Sequence, residues 1–204
     1  KKNTSVNKLK TIKNILFVGS NFCLYEFRLN TVPIASKVLY RSDYIKNKLS
    51  LINFLSKNRK LTYKPHPANN WYKYFKLSKK NLIVVDKNKD ITNLAKQNDL
   101  IILTHLSTSF MQMMSLNKPV LLYLEKGIYR FEDNFKKILD EMKKLNILFT
   151  NPKVMKNFLK KNKFNFNYWY NSDTQHFIMK FLNSYYLSEN NYKENFEKFI
   201  DKHN

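Results

Sequence analysis

The sequence predicts an α/β fold in which a parallel sheet of about six strands lies between two layers of helices. One observation is that short, continuous apolar runs end in turn residues, which is typical of strands covered on both faces. A second is that these runs alternate with segments of helical periodicity, the pattern of βαβ units. We therefore expect a Rossmann-like, three-layer domain with helices on both faces of the sheet and a C-terminal helical tail.

The first predicted strand is NILFVGSN (14–21), which ends at a glycine turn. Apolar residues recur every three or four positions in 33–56, which predicts the first helix. Asp90 is the expected N-cap of a short helix over 90–97. The other predicted strands are LTYK (61–64), NLIVVD (81–86), DLIILT (99–104), PVLLYL (119–124) and NILFT (146–150). The other predicted helices are 107–117, 131–145, a helix from Pro152 to about 160, and two aromatic-rich helices in 172–203.

The chain divides by composition into three parts. Residues 1–13 are polar and basic and form an arm or linker, 14–170 form the Rossmann-like domain, and 171–204 form C-terminal helices. The first residue is Lys1 and not Met, so we expect a piece of a longer protein.

The charge balance is strongly basic, with 37 Lys and Arg against 15 Asp and Glu and a net charge of +22. The basic residues are spread along the chain and no RNP, KH or zinc-finger pattern occurs, which argues against nucleic acid as the main partner. Attraction to anionic membrane phosphates remains an expectation. One cysteine fits a reducing compartment, and no signal peptide or apolar run of about 20 residues is present. These features predict a cytoplasmic protein with peripheral contact at the inner membrane face.

Three loops follow predicted strands at the edge where open α/β sheets bind ligands. They are GSNF (19–22), KPHPANNW (64–71) and THLSTS (104–109). If the strand order is 3-2-1-4-5-6, the first and fourth strands flank the switch point and the three loops converge on one crevice. The first loop makes Gly19 and Ser20 candidate ligand contacts.

The second loop holds a histidine between two prolines. Pro65 and Pro67 restrict the backbone around His66, and Lys64 lies beside it. His66 could bind a phosphate or protonate a leaving group, or it could be packed in the turn against a backbone carbonyl. His105, in the third loop, could equally line the crevice.

The third loop opens a helix with three hydroxyl residues, Ser107, Thr108 and Ser109. Free N–H groups and hydroxyls at a helix N-terminus favour an anion, although one hydroxyl would suffice as a cap. There is no GxGxxG, Walker A, GxSxG or Cys/His metal pattern, so we expect neither a dinucleotide nor a metal. Asp86 could touch a ribose, but we favour a role as a turn cap.

The order of these motifs resembles the C-terminal, nucleotide-sugar-binding half of GT-B glycosyltransferases. YKPHP followed by LSTSFMQMMSLNKPVLLY is similar to bacterial sialyltransferases and Kdo transferases, which use CMP-activated sugars. More narrowly, the chain resembles a group of surface-carbohydrate biosynthesis transferases over residues 12 to 187. The matching pieces are His66, Pro67 and Trp71, Ser107 and Thr108, and YWYNSDTQHFIMKFLNSYY (168–186).

The resemblance implies inverting transfer of a sugar from a nucleotide donor, expected to be CMP-linked, to a surface glycan such as lipopolysaccharide or capsule. His66 would be catalytic, holding the donor phosphate or assisting the departure of CMP. No metal would be required, because Lys64 balances charge. Where GT-B folds often place an acidic residue for the donor ribose, this chain has Gln112 and no carboxylate before Glu125. The expected donor contacts are Lys64, Pro67, Gly19, Ser20, His105, Ser107, Thr108, Ser109 and Gln112.

The same resemblance implies that this chain is half an enzyme, whose missing N-terminal domain would bind the glycan acceptor. Aromatic residues of the tail, such as Trp169 and Phe177, would cover that domain or pack on their own sheet. Two alternatives stay open: a CDP-glycerol-type polyol-phosphate transferase, and a non-catalytic basic module that binds nucleic acid or anionic glycan.

Overall fold

The computed structural model describes residues 11–20, 38–67, 81–126 and 131–185. The strands are β1 (Asn14–Val18), β2 (Lys60–Lys64), β3 (Leu82–Val84), β4 (Leu100–Leu103), β5 (Val120–Tyr123) and β6 (Leu148–Phe149). The helices are α1 (Val38–Asn58), α2 (Ile91–Lys96), α3 (Thr108–Ser115), α4 (Asp133–Lys144), α5 (Pro152–Lys161) and α6 (Ser172–Tyr185), with a 3₁₀ turn at Asn167–Tyr170.

The six strands form one parallel sheet in the order β3-β2-β1-β4-β5-β6. This order confirms the predicted topology and puts the switch point between β1 and β4. Val18 at the end of β1 pairs with Lys64 of β2 and with Leu103 of β4, so the three strands end level with one another. The loops that follow them therefore share one edge of the sheet.

The apolar runs that predicted the strands are the centre of the core. Every residue of β4 and β5 is buried, as expected for strands with helices on both faces. The edge strand β3 instead exposes Ile83 and Val84. The last predicted strand, 146–150, is observed over two residues, and its first predicted position, Asn146, has a left-handed backbone with φ of 55°, which a strand does not allow.

The predicted helices are present wherever the structure describes them. Asp90 caps α2 as expected, since its Oδ1 accepts a hydrogen bond from the N–H of Asn93 at 2.7 Å. Residues 33–37 of the first predicted helix, the second tail helix and Trp71 lie outside the described residues. Among the helices that are described, none is long and apolar enough to cross a membrane.

The C-terminal aromatics pack on their own domain. Trp169, Phe177 and Phe181 are buried in the core, and the Phe181 ring meets Phe110 of α3 edge-on at 5.9 Å. Of the two alternatives for these three side chains, packing on their own domain is the one observed. Tyr170 and Tyr185 remain partly exposed.

Candidate functional site

A cavity of about 490 Å³ opens at the carboxyl ends of β1, β2 and β4. Its volume is in the range of small-ligand sites. Residues from all three predicted loops line this crevice, and eight of the ten residues predicted to contact the donor are among them. They are Gly19, Lys64, His66, Pro67, His105, Ser107, Thr108 and Ser109.

The N-terminus of α3 forms one wall of the crevice. Ser107 is its N-cap residue, but the Ser107 side chain makes no capping hydrogen bond, and its Oγ is buried without a hydrogen-bond partner among the described residues. The N–H groups of Thr108 and Ser109, in the first turn, have no acceptor within the helix. Two N–H groups are thus available to an anionic ligand at the positive end of the helix dipole, and the Ser107 hydroxyl beside them would have to turn toward such a ligand to bind it.

Two histidines lie at the same crevice. Burial, and then the charges of Lys48 and His66, lower the pKa of His105 to about 4. The pKa of His66 is also lowered, first by burial and then by Lys64 and Lys48. Both rings are therefore mainly neutral near pH 7, and each offers one N–H donor. The Nδ1 of His105 is buried with no hydrogen-bond partner in the part of the chain that the structure describes.

Lys64 ties this wall to the loop that follows β3. Its Nζ donates a hydrogen bond to the carbonyl of Lys87 at 2.8 Å, and burial lowers its pKa against the opposing charges of Asp86 and Asp90. Asp86 caps a turn, as we favoured, because its Oδ1 accepts from the N–H of Asn88 at 2.7 Å. Lys89 and Asp90 of this loop and Ile91, the first residue of α2, also line the crevice, and none of the three was predicted from the sequence.

Gly19 leaves room at the floor of the crevice. A Cβ at this position would lie 2.9 Å from the hydroxyl of Tyr63, which is almost fully buried. The N–H of Gly19 donates to the carbonyl of Lys64 at 2.9 Å, which fixes the end of β1 to the end of β2. The glycine is therefore required by close packing as well as by its place at the site.

A buried cluster, formed by Ser20, Tyr44 and Lys48, lies behind the end of β1. Ser20 was predicted to contact the donor, but it does not line the crevice. Its Oγ accepts a hydrogen bond from Lys48 Nζ at 2.6 Å and also bonds to the hydroxyl of Tyr44. Lys48 is fully buried, with its Nζ 4.1 Å from the centre of the Tyr44 ring. Lys48 and Tyr44 were not among the residues predicted from the sequence.

Gln112 is the other predicted contact that lies away from the crevice. It is half-buried, one turn further along α3, and does not line the cavity. The carboxylate among the lining residues, Asp90, accepts a hydrogen bond from the N–H of Asn93. Over the described ranges, no three His, Cys, Asp or Glu side chains gather where they could hold a metal ion.

Comparisons with known proteins give a family and two similar solved structures. The model of the LIC12162 family of transferases matches residues 1–200. Two solved structures of the wall teichoic acid polymerase TagF are similar to this chain. The first, of a variant, is 17% identical with a TM-score of 0.48 and matches 96% of this chain and 44% of that one. The second is 16% identical with a TM-score of 0.45 and matches 96% and 45%. The chain thus spans less than half the length of these polymerase chains. No curated protein matches.

Proposed function

Because the chain belongs to the LIC12162 family of transferases, we propose that it is the donor-binding half of a GT-B glycosyltransferase. It would transfer a sugar from a CMP-linked donor to a cell-surface glycan such as lipopolysaccharide or capsule. The observation that supports this best is the buried, unpaired hydroxyl of Ser107 beside the first N–H groups of α3. A buried hydroxyl without a partner is unfavourable, and a phosphate oxygen in the crevice would satisfy it.

The formal charges that line the crevice suit one phosphate, because two lysines, Lys64 and Lys89, face one carboxylate, Asp90. The phosphodiester of a CMP-sugar carries a single negative charge. The positive end of the α3 dipole would attract it, and the N–H groups of two mainly neutral histidines would donate hydrogen bonds to it. Lys64 adds a buried amine whose Nζ is held by a carbonyl. These donors would balance the phosphate without a metal ion, so we propose a metal-independent reaction.

His66 is the proposed catalytic residue. In the reaction, the bond between the sugar carbon and the CMP phosphate oxygen breaks as the acceptor oxygen attacks that carbon. The departing phosphate gains negative charge, and a hydrogen bond from the imidazole of His66 would stabilise it as it leaves. The acceptor hydroxyl would lose its proton to a base in a separate N-terminal domain. The basic charge of the chain would favour a cytoplasmic location beside the anionic inner membrane face.

Nucleotide titration of the intact protein tests this proposal. We expect CMP to bind more tightly than UMP or UDP, and no nucleotide binding would overturn the proposal. A CDP-glycerol donor also releases CMP, so titrations with a CMP-linked sugar and with CDP-glycerol would separate the two transferase classes. Affinity for DNA that persists at physiological salt, with no CMP binding, would favour the binding-module alternative.

Two serines of the same helix give a matched pair of variants. Ser107→Ala should weaken CMP binding about tenfold without lowering stability, because Ser107 Oγ makes no hydrogen bond in the protein alone. Ser115→Ala is the control, since Ser115 is exposed at the far end of α3 and its Oγ bonds to the carbonyl of Gln112. Equal CMP affinity in wild type and Ser107→Ala would remove the α3 N-terminus from the site.

A further inference from the structure

Lys48 is a basic side chain buried in the core beside the crevice. It is fully buried on α1, and among the described residues the acceptor of its Nζ is Ser20 Oγ, at 2.6 Å. An ammonium group has three N–H donors, so one hydroxyl and the face of the Tyr44 ring satisfy it only in part. A lysine in such a place destabilises the fold compared with an apolar side chain of similar size.

The position of Lys48 connects it to the crevice. Its partner Ser20 directly follows Gly19, which lines the cavity. Both crevice histidines sense the charge of Lys48, because it contributes to the lowered pKa of His66 and of His105. Lys48 does not line the cavity, so any effect on a ligand would pass through Ser20 or through its electric field.

We propose that Lys48 is a positioning residue of this crevice: it holds the end of β1 through Ser20 and supplies buried positive charge toward the donor phosphate. This inference rests on the proposed function, since it takes the ligand to be the phosphate of a nucleotide donor. It gives a reason for a buried lysine that packing alone does not explain.

The charged groups around Lys48 suit an amine that takes up a proton when an anion binds nearby. Burial lowers the pKa of Lys48 well below its usual value, and the carboxylate of Glu125, which follows β5, opposes that shift. Glu125 is held in place, because it accepts hydrogen bonds from Asn47 Nδ2 at 2.9 Å and from the hydroxyl of Tyr123. An anion in the crevice would favour the protonated form of Lys48.

The main test is Lys48→Met in the intact protein, with CMP as the probe. CMP affinity should fall about tenfold, because the variant removes a positive charge in a medium of low effective dielectric constant, where charges interact over longer distances than in water. The thermal unfolding midpoint should stay equal or rise, because the variant removes a poorly satisfied buried amine. A lysine that only supports the fold would give the opposite pair of results: a lower midpoint and unchanged CMP affinity.

The matched control is Lys156→Met on α5. Lys156 also donates to a serine hydroxyl, that of Ser50, and its pKa responds to burial and to Lys160 and Lys153. The control removes the same charge and should leave CMP affinity unchanged. If both variants weaken CMP binding equally, the effect is a general one of net charge and the proposal fails.

A second variant and a second readout keep the test independent of folding and of CMP. Ser20→Ala removes the acceptor of Lys48 and should weaken CMP binding severalfold; unchanged affinity would overturn the positioning role. Titration of the histidine ring signals by NMR should show a pKa for His105 above about 4 in Lys48→Met and an unchanged pKa in Lys156→Met. If the wild-type protein binds no nucleotide, the proposed donor-binding function is wrong. If the pKa of His105 is the same in Lys48→Met as in the wild type, the proposed role of Lys48 is wrong, whether or not a nucleotide binds.

Discussion

Gly19→Ala is the substitution whose effect follows most directly from the geometry of the crevice. The new Cβ would lie 2.9 Å from the Tyr63 hydroxyl oxygen and 3.3 Å and 3.4 Å from two ring carbons. Contacts under about 3.0 Å require a shift of one partner. Tyr63 is 1% exposed and its ring packs against Phe17 with centroids 5.9 Å apart, so it has little space to move.

The expected loss of stability is that of overpacking a well-filled core, about 1–3 kcal/mol. Gly19→Ala also removes a little conformational freedom from the unfolded chain, which would offset about 0.4–1 kcal/mol. The net destabilisation should therefore lie between about 0 and 2.6 kcal/mol, with a central value of about 1 kcal/mol. It should appear as a lower urea midpoint with an unchanged m-value.

A double-mutant cycle with Tyr63→Phe tests the cause of that loss. Removing the hydroxyl deletes the 2.9 Å contact and leaves the two ring contacts, which are only slightly tight. Gly19→Ala should therefore destabilise the Tyr63→Phe background by less than it destabilises wild type, with a coupling energy of about 0.5–1 kcal/mol or more. Tyr63→Phe alone measures what the hydroxyl contributes through its own interactions. Additive effects in the cycle would refute this explanation and place the demand for glycine elsewhere.

Two further predictions concern the histidines. His66→Ala in the full-length enzyme should lower turnover about a hundredfold, the scale of losing one donor that stabilises charge in the transition state; unchanged turnover in an assay of CMP release would remove His66 from the mechanism. The second concerns stability against pH. Because the pKa of His105 in the fold is about 4 and that of an unfolded histidine is about 6.5, the unfolded chain binds protons first as the pH falls. Stability should therefore decrease between about pH 6.5 and pH 4, and His105→Gln should flatten this decrease in urea midpoints. An equal pH slope in the two proteins would show that His105 is not held neutral by the fold.

The sheet could be predicted from the sequence because its central strands are continuous apolar runs. LIIL of β4 and VLLY of β5 are buried on both faces, so no alternation confuses the pattern. With the strand order β3-β2-β1-β4-β5-β6, the loops that follow β1, β2 and β4 must lie at the same edge of the sheet. This is why eight predicted residues do line one crevice.

Side-chain hydrogen bonds could not be predicted in the same way. Ser20 and Ser107 both follow predicted strands in the sequence, yet their hydroxyls differ in the fold. The Ser20 hydroxyl is taken by Lys48 and Tyr44, whereas that of Ser107 is buried and unpaired. The difference depends on α1, which is distant in the sequence but brings Tyr44 and Lys48 to the end of β1.

Lys48 did leave a signal in the sequence, although a weak one. Tyr44, Lys48, Leu51 and Leu55 recur at helical spacing, and all four are buried in the structure. A lysine within such an apolar stripe usually extends its amine to solvent along neighbouring side chains. Here the end of β1 and the Tyr44 ring enclose the amine, so it cannot reach water. The fold thus keeps a destabilising side chain against the wall of a crevice rich in N–H donors, which is the pattern expected where stability is exchanged for binding of an anion.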